Sequence, residues 1–241
     1  PAALAARGVP FTQLSTAIRA SLSDISGGEV DLGKRRYVVR TLARPPEVAD
    51  LDAPVTILGG TPTLERWRSQ RLIWVRSFTA TISLDHRGPD RGMLLAHGDQ
   101  GGGYALYVGD SGQLVFAHND GHRTRRIEGA PLADGVSRIV LDAHAPGGNT
   151  WTVAVSVDGV EMLRGEGFDV FLSMAPFEGI DVGIDRRSPV DWDLYRRHGS
   201  YPYTGVIHSV RYEPGEHAPD APIRMIDTLR EMAGAFARRF D

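Results

Sequence analysis

The sequence predicts a mainly β protein, a sandwich or jelly roll over residues 68–214. Three observations predict it. Short strand-like runs recur from Arg71 to Tyr212. Turn signals separate them: Gly109-Asp110-Ser111-Gly112, Asn119-Asp120-Gly121, Pro146-Gly147-Gly148-Asn149 and Asp158-Gly159. Many strands at this spacing are the mark of a two-sheet fold.

In chain order, Leu14, Ala17, Ile18 and Leu22 fall at helical spacing, so about residues 11–23 read as a short amphipathic helix. Ser26-Gly27-Gly28 stops it. Glu29–Leu32 and Arg35–Leu42 read as two strands around a Gly33-Lys34 turn. Residues 1–50 are therefore expected to form a small α/β appendage. Residues 51–67 hold Pro54, Gly59, Gly60 and Pro62 and read as a linker or irregular wrap.

Strands are expected at about 72–84, 92–97, 103–108, 113–118, 122–127, 136–143, 150–157, 160–165, 178–184 and 203–212. Val157-Asp158-Gly159-Val160 signals a two-residue hairpin, because Asp-Gly tolerates positive φ. Residues 215–241 close the chain with a helix over 220–240. Asp220 is its expected cap and Pro222 lies in its first turn. Ile226, Leu229, Ala233, Phe236 and Phe240 form one apolar stripe. That stripe either docks on its own sandwich or pairs with a second copy as a homo-oligomer.

The chain has 241 residues, enough to bury a real core. Its formal net charge of -3 gives no case for electrostatically driven nucleic-acid binding. It contains no cysteine, which excludes disulfides, thiolate nucleophiles and Cys-based zinc sites. No apolar run approaches the roughly 18 residues of a membrane helix. The start, Pro1-Ala2-Ala3-Leu4-Ala5-Ala6, lacks a basic n-region, so no signal peptide is visible.

Four stretches carry a resemblance: Met93-Leu94-Leu95-Ala96-His97-Gly98, Gly102-Gly103-Tyr104-Ala105-Leu106-Tyr107-Val108, Val153-Ala154-Val155-Ser156-Val157-Asp158-Gly159, and Ile184-Asp185-Arg186-Arg187-Ser188-Pro189-Val190-Asp191. Over about residues 70–240 the chain resembles the C-terminal concanavalin-like, laminin-G-type jelly-roll module of bacterial arylsulfatases. The resemblance covers an accessory module and misses the catalytic core. It implies a bacterial protein with a binding or packing role, and leaves the compartment, periplasmic or cytoplasmic, open. The family's Cys/Ser-x-Pro-x-Arg motif is absent. A second stretch, Gly8-Val9 with Ser26-Gly27-Gly28-Glu29-Val30-Asp31-Leu32-Gly33-Lys34-Arg35-Arg36-Tyr37-Val38-Val39-Arg40, resembles part of a periplasmic porter subdomain of resistance-nodulation-division efflux pumps. It spans about residues 8–50, and the pump's transmembrane helices have no counterpart.

The sequence contains no Gly-x-Ser-x-Gly elbow, no His-Glu-x-x-His helix and no phosphate-binding Gly-x-x-x-x-Gly-Lys loop. The Gly98–Gly103 stretch lies between strands and reads as a turn. His118 and His122 flank Asn119-Asp120-Gly121. A three-residue turn there would set the two imidazoles opposite each other on one face. With His97, and Asp99 or Asp120, they are candidate ligands for zinc or another divalent transition metal. That alternative is a small metal-dependent hydrolase of sulfate, phosphate or glycosidic esters. The competing reading makes them exposed or cross-strand-packed histidines.

Asp181, Asp185, Asp191 and Asp193 lie around an irregular loop. Carboxylates in such a loop suit calcium, and the resemblance to laminin-G-like jelly rolls raises that expectation for Asp185, Asp191 and Asp193. The bland alternative is capping or pairing with arginines such as Arg186 and Arg187. Trp192, Tyr195, His198 and Tyr201 make the same stretch aromatic. Aromatic faces stack on sugar rings, so this is the expected contact loop for a glycan. Packing on the protein's own sandwich or on a partner protein is the competing reading. The leading expectation is a non-catalytic module that binds carbohydrate or packs on a partner. Glu161 with Glu166, and Asp142 with His144, are candidate acid–base pairs that nothing distinguishes from surface residues of any sandwich.

Overall fold

In the computed structural model, residues 26–32, 35–40, 52–171 and 176–239 are described, with side chains for 52–171 and 176–232. The chain divides into two units, residues 1–47 with 235–241, and residues 48–234.

In the first unit, β1 (Ser26–Leu32) pairs antiparallel with β2 (Arg35–Arg40), Leu32 opposite Arg35 and Val30 opposite Tyr37. The ladder shifts register between Ser26 and Glu29, where Gly27 and Gly28 relax the pleat. This is the expected hairpin. The helix expected at 11–23 lies outside the described residues.

The second unit is a β-sandwich of the jelly-roll class, as the sequence predicts. It contains β3 (Val55–Leu58), α1 (Arg66–Gln70), β4 (Arg76–Asp85), β5 (Gly92–Asp99), β6 (Gly102–Val108), β7 (Gln113–Asn119) and β8 (Thr124–Pro131). Then come β9 (Arg138–Gly147), β10 (Thr150–Val157), β11 (Val160–Asp169), β12 (Ile180–Val182), α2 (Trp192–His198), β13 (Val206–His217) and, up to residue 234, α3 (Ile223–Arg239). Six strands form one antiparallel sheet in the order β11-β10-β9-β4-β13-β3; five form the other, β12-β5-β6-β7-β8.

The two sheets differ in their outer faces, and the sequence shows why. β4, β9 and β10 alternate cleanly: Phe78, Ala80, Ile82 and Leu84 point inward, while Thr79, Thr81 and Ser83 face solvent. β5, β6 and β7 are buried on both faces. Their inner residues, including Leu95, Leu106 and Phe116, join the main core. Their outer residues, Met93, Ala96, Ala105, Tyr107, Val115 and Ala117, join a second cluster with Val190, Leu194 and Tyr201. The segment around α2 thus lies over the outer face of the five-stranded sheet. Aromatic rings fill the space between the sheets: Phe78 packs on Tyr104, Trp151 and Tyr212.

The stretch expected as a linker or irregular wrap lies against the sheets and adds a strand of its own. β3 pairs with β13, with Ile57 opposite Val210, and so becomes an edge of the large sheet. Leu64 then exchanges both backbone hydrogen bonds with Ile180, at 2.8 and 2.9 Å, beside the short edge strand β12. One strap therefore lies along an edge of each sheet, which removes pairing groups that would otherwise invite aggregation. Pro54 and Gly59-Gly60 limit β3 to four residues and hide it from a strand search.

Four further expectations shift. Leu72–Val75 is a buried turn continuing α1, and the strand begins only at Arg76. The turn after β7 comprises Asp120–Arg123, because the Asp120 carboxylate accepts from the amides of His122 and Arg123 and closes a longer loop. Asp220 does not cap α3: its carboxylate accepts from Gly148 N at 2.7 Å, and the Pro222 carbonyl accepts the first helical bonds. α2 was not expected at all. In α3, Ile226 is fully buried and Leu229 packs on the core, so this part of the stripe docks on its own sandwich. The side chains of Ala233 and Phe236, and Phe240 altogether, lie outside the described residues. Among the described residues no helix is long and apolar enough to cross a membrane.

Candidate functional site

The outer face of the five-stranded sheet carries two side-chain rows set by register. Met93, Tyr107, Val115 and Glu128 lie side by side across β5–β8, and so do Ala96, Ala105, Ala117 and Arg126. Each row runs from apolar to charged as it approaches the β8 edge. The segment around α2 covers the apolar end. At the charged end a cleft of about 300 Å³ stays open to solvent. Tyr107 and Val115 underlie it; Asp110, Gln113, Arg126, Glu128, Asp193, Arg197 and His198 line it.

α2 is short, and its ends hold it. Asp191 caps it by accepting from Leu194 N at 3.0 Å. Arg196, Arg197 and His198 fill its last turn, where cations face the negative end of the helix dipole, and Gly199 follows at φ 66°. The buried Asp191 carboxylate also takes a bidentate grip from Arg126, with Nε donating to Oδ2 at 2.6 Å and Nη2 donating to Oδ1. Hydrogen bonding to Asp191 pushes the Arg126 guanidinium pKa further up. This pair ties α2 to β8. On the other wall Tyr201 sits at φ 46°, in the left-handed region that costs a non-glycine residue energy. Its hydroxyl donates to Val108 O at 3.0 Å, and its ring stacks on His198 at 4.3 Å. Burial, then the nearby Asp110 carboxylate, raises its pKa. Burial followed by the Asp191 charge raises the Tyr107 hydroxyl to about 12. Both phenols stay neutral, and Tyr201 is a donor.

The expected aromatic contact loop divides across α2. His198 and Tyr201 line the cleft. Trp192 and Tyr195 sit at i and i+3 and stack nearly parallel, centroids 5.4 Å apart at 14°. Trp192 is 47% exposed. An open indole backed by a phenol is a flat apolar face presented to solvent.

The expected metal ligands are placed as follows. Asp181 accepts from Thr63 Oγ1 at 2.6 Å, Arg186 N at 2.8 Å and Arg186 Nη1 at 2.9 Å. Asp185 accepts from Val190 N at 2.9 Å, and burial first, then the neighbouring carboxylates, raises its pKa to about 7. Asp191 is occupied by Arg126 and the helix cap, and exposed Asp193 reaches Arg126 at 3.4 Å. His97 is fully buried beside Tyr104, Nδ1 to hydroxyl 3.2 Å, and burial lowers its pKa to about 3. His118 donates through Nε2 to Asp169 O at 2.8 Å and stacks on Phe171. His122 lies exposed in the Asp120–Arg123 turn rather than opposite His118. Asp99 accepts from Gly101 N and Glu178 N. The described residues bring together no group of three His, Asp or Glu side chains placed to hold a metal ion.

Tyr107, Asp110, Gln113, Arg126, Glu128 and Arg197 were missed by sequence reasoning. Two signals were present: Arg126 and Glu128 continue the outward rows of β7, and Asp191 through Gly199 reads as a capped helix with a basic last turn.

No protein-family model matches the chain, and no curated protein matches it. Solved structures do. The carbohydrate-binding module CBM40 of the Ruminococcus gnavus IT-sialidase, bound to α2,6-sialyllactose, is 12% identical with a TM-score of 0.44, over 73% of this chain and 98% of that one. The LG1-3 region of the laminin α2 chain is 13% identical, TM-score 0.40, over 70% and 32%. The Caenorhabditis elegans galectin LEC-6 is 10% identical, TM-score 0.34, over 66% and 94%. The fold assignment stands on this chain's own sheet topology. Neither the arylsulfatase nor the efflux-pump resemblance is shown by these matches.

Proposed function

We propose that the sandwich is a binding module for carbohydrate, working through the cleft beside α2 rather than through a reaction. The observation that carries this reading is the cleft's lining: carboxylates, guanidiniums and an amide alternate around a solvent-open hollow, and the same short helix presents the exposed Trp192–Tyr195 stack. Sugar hydroxyls donate to carboxylates and accept from guanidiniums, and sugar C–H faces stack on aromatic rings. The cleft lies at the small end of ordinary ligand sites, which suits one or two sugar rings.

The test is calorimetric titration of the protein with a panel of oligosaccharides, repeated on Trp192→Ala and on Asp110→Asn. The proposal expects saturable binding that weakens at least about tenfold in each variant, with the thermal midpoint of Trp192→Ala nearly unchanged because its ring is half-exposed. Binding that survives in both variants would place the sugar elsewhere, and binding of no sugar would sink the reading.

A further inference from the structure

We infer that the ligand of this cleft is an uncharged glycan, and that carboxylated or sulfated sugars are turned away. This rests on the carbohydrate reading above and names its ligand class. Arg126 spends Nε and Nη2 on Asp191 and reaches Asp193 with the same Nη2. Arg197 donates Nε to the Asp193 carbonyl at 3.3 Å and lies 4.0 Å from the Asp110 carboxylate. His198 Nε2 stands 3.3 Å from that same carboxylate.

Both guanidiniums at the cleft therefore already answer to carboxylates of this chain. The acids outnumber them: Asp110, Asp193 and Glu128 line the hollow, and buried Asp191 lies directly behind Arg126. Glu128 is exposed and makes no ion pair among the described residues. Two guanidiniums thus face four carboxylates. An anionic ligand would have to rely on guanidiniums whose charge carboxylates of this chain already answer, while facing Glu128, and both costs oppose it. Sugar hydroxyls face neither cost. Each can donate to a carboxylate's free lone pairs and accept from the guanidinium N–H groups left over, without changing the charge of the site.

The experiment uses matched pairs, which separates this inference from the reading beneath it. Neutral gluco-, galacto-, manno-, arabino- and xylo-oligosaccharides are titrated alongside sialylated, uronate or sulfated counterparts, lactose with 3′-sialyllactose among them. The expected result is that the neutral member of any binding pair binds at least about tenfold more tightly at low salt. Added salt should narrow that gap, because it screens repulsion. Glu128→Lys, a change at an exposed position, should shrink the preference about tenfold or reverse it. Tighter binding of the anionic member by the unaltered protein overturns the inference while leaving carbohydrate binding intact. An unchanged preference in Glu128→Lys overturns the charge argument. Binding of neither member of any pair overturns both readings.

Discussion

His97 offers a quantitative check on how tightly the sandwich is sealed. Its ring is fully buried between Tyr104 and Tyr212, and burial lowers its pKa to about 3. An unfolded chain binds that proton near pH 6.5. Between those values the unfolded state carries a proton that the native state refuses, so native stability falls as pH falls from 6.5 toward about 3. Each pH unit in that window costs about 1.4 kcal/mol, so lowering pH from 7.5 to 5 removes roughly 2 kcal/mol through this residue alone. Burial also lowers the pKa of His86, His118 and His217, so the raw slope of the protein is steeper. The comparison with His97→Gln cancels those shared contributions. Urea unfolding of both proteins at pH 7.5 and pH 5 is the assay. The variant is less stable at pH 7.5 because it loses ring packing, and its deficit should shrink by about 2 kcal/mol at pH 5. An unchanged deficit would show that native His97 takes up protons near the ordinary value, which is incompatible with a dry interior at this position.

Other perturbations probe the cleft's supports. Arg126→Met leaves the Asp191 carboxylate buried without its cation and should cost about 3 kcal/mol or more in denaturant unfolding. Adding Asp191→Asn, which still caps α2, should recover much of that loss. Asp185 has its native pKa raised to about 7, so the folded state holds the proton more tightly than the unfolded state, and stability declines as pH rises from about 4 to 7. Asp185→Asn should therefore be close to neutral at pH 4 and stabilising by about 4 kcal/mol at pH 8. A destabilised variant at pH 8 would mean that the protein uses the carboxylate's charge. Ile226→Ala should cost about 3 kcal/mol, because the fully buried side chain anchors α3 to its own core. An unchanged unfolding midpoint would deny that docking.

The sandwich was legible because its strands are strongly patterned and Gly- or Asn-containing turns separate them. What stayed hidden has physical causes. β3 is short and sits between Pro54 and Gly59, so propensity argued against the strand that pairing with β13 stabilises. α2 is less than two full helical turns and owes its existence to Asp191, Arg126 and Leu194, contacts that are long-range in sequence. His97 and His118 looked like ligands because sequence gives residue type but not depth. The register sets His97, Tyr104 and His118 in one row facing the other sheet, where imidazoles serve as packing surface with single hydrogen bonds. The acidic loop was half legible. Its residues were identified, including the alternative of caps and arginine partners, yet the partner of Asp191 is Arg126, on a strand 65 positions away.

The location of the cleft follows from an imbalance between the two sheets. The large sheet turns Thr, Ser and charged residues to solvent on β4, β9 and β10, so it needs no cover. The small sheet turns Met93, Ala96, Ala105, Tyr107, Val115 and Ala117 outward, and water cannot be left against that surface cheaply. The segment around α2 supplies the cover through Val190, Leu194 and Tyr201, and it does so with few residues. The small outward residues Ala96, Ala105 and Ala117 leave room for that segment to lie close. Cover and sheet part where the rows become Arg126 and Glu128, since a guanidinium and a carboxylate cannot be buried under a short apolar helix without partners. Arg126 finds Asp191 and stays; Glu128 finds no ion-pair partner among the described residues and faces solvent. The hollow is thus the unavoidable margin of a partial cover, and its charge balance is set by which of those two residues the fold could neutralise.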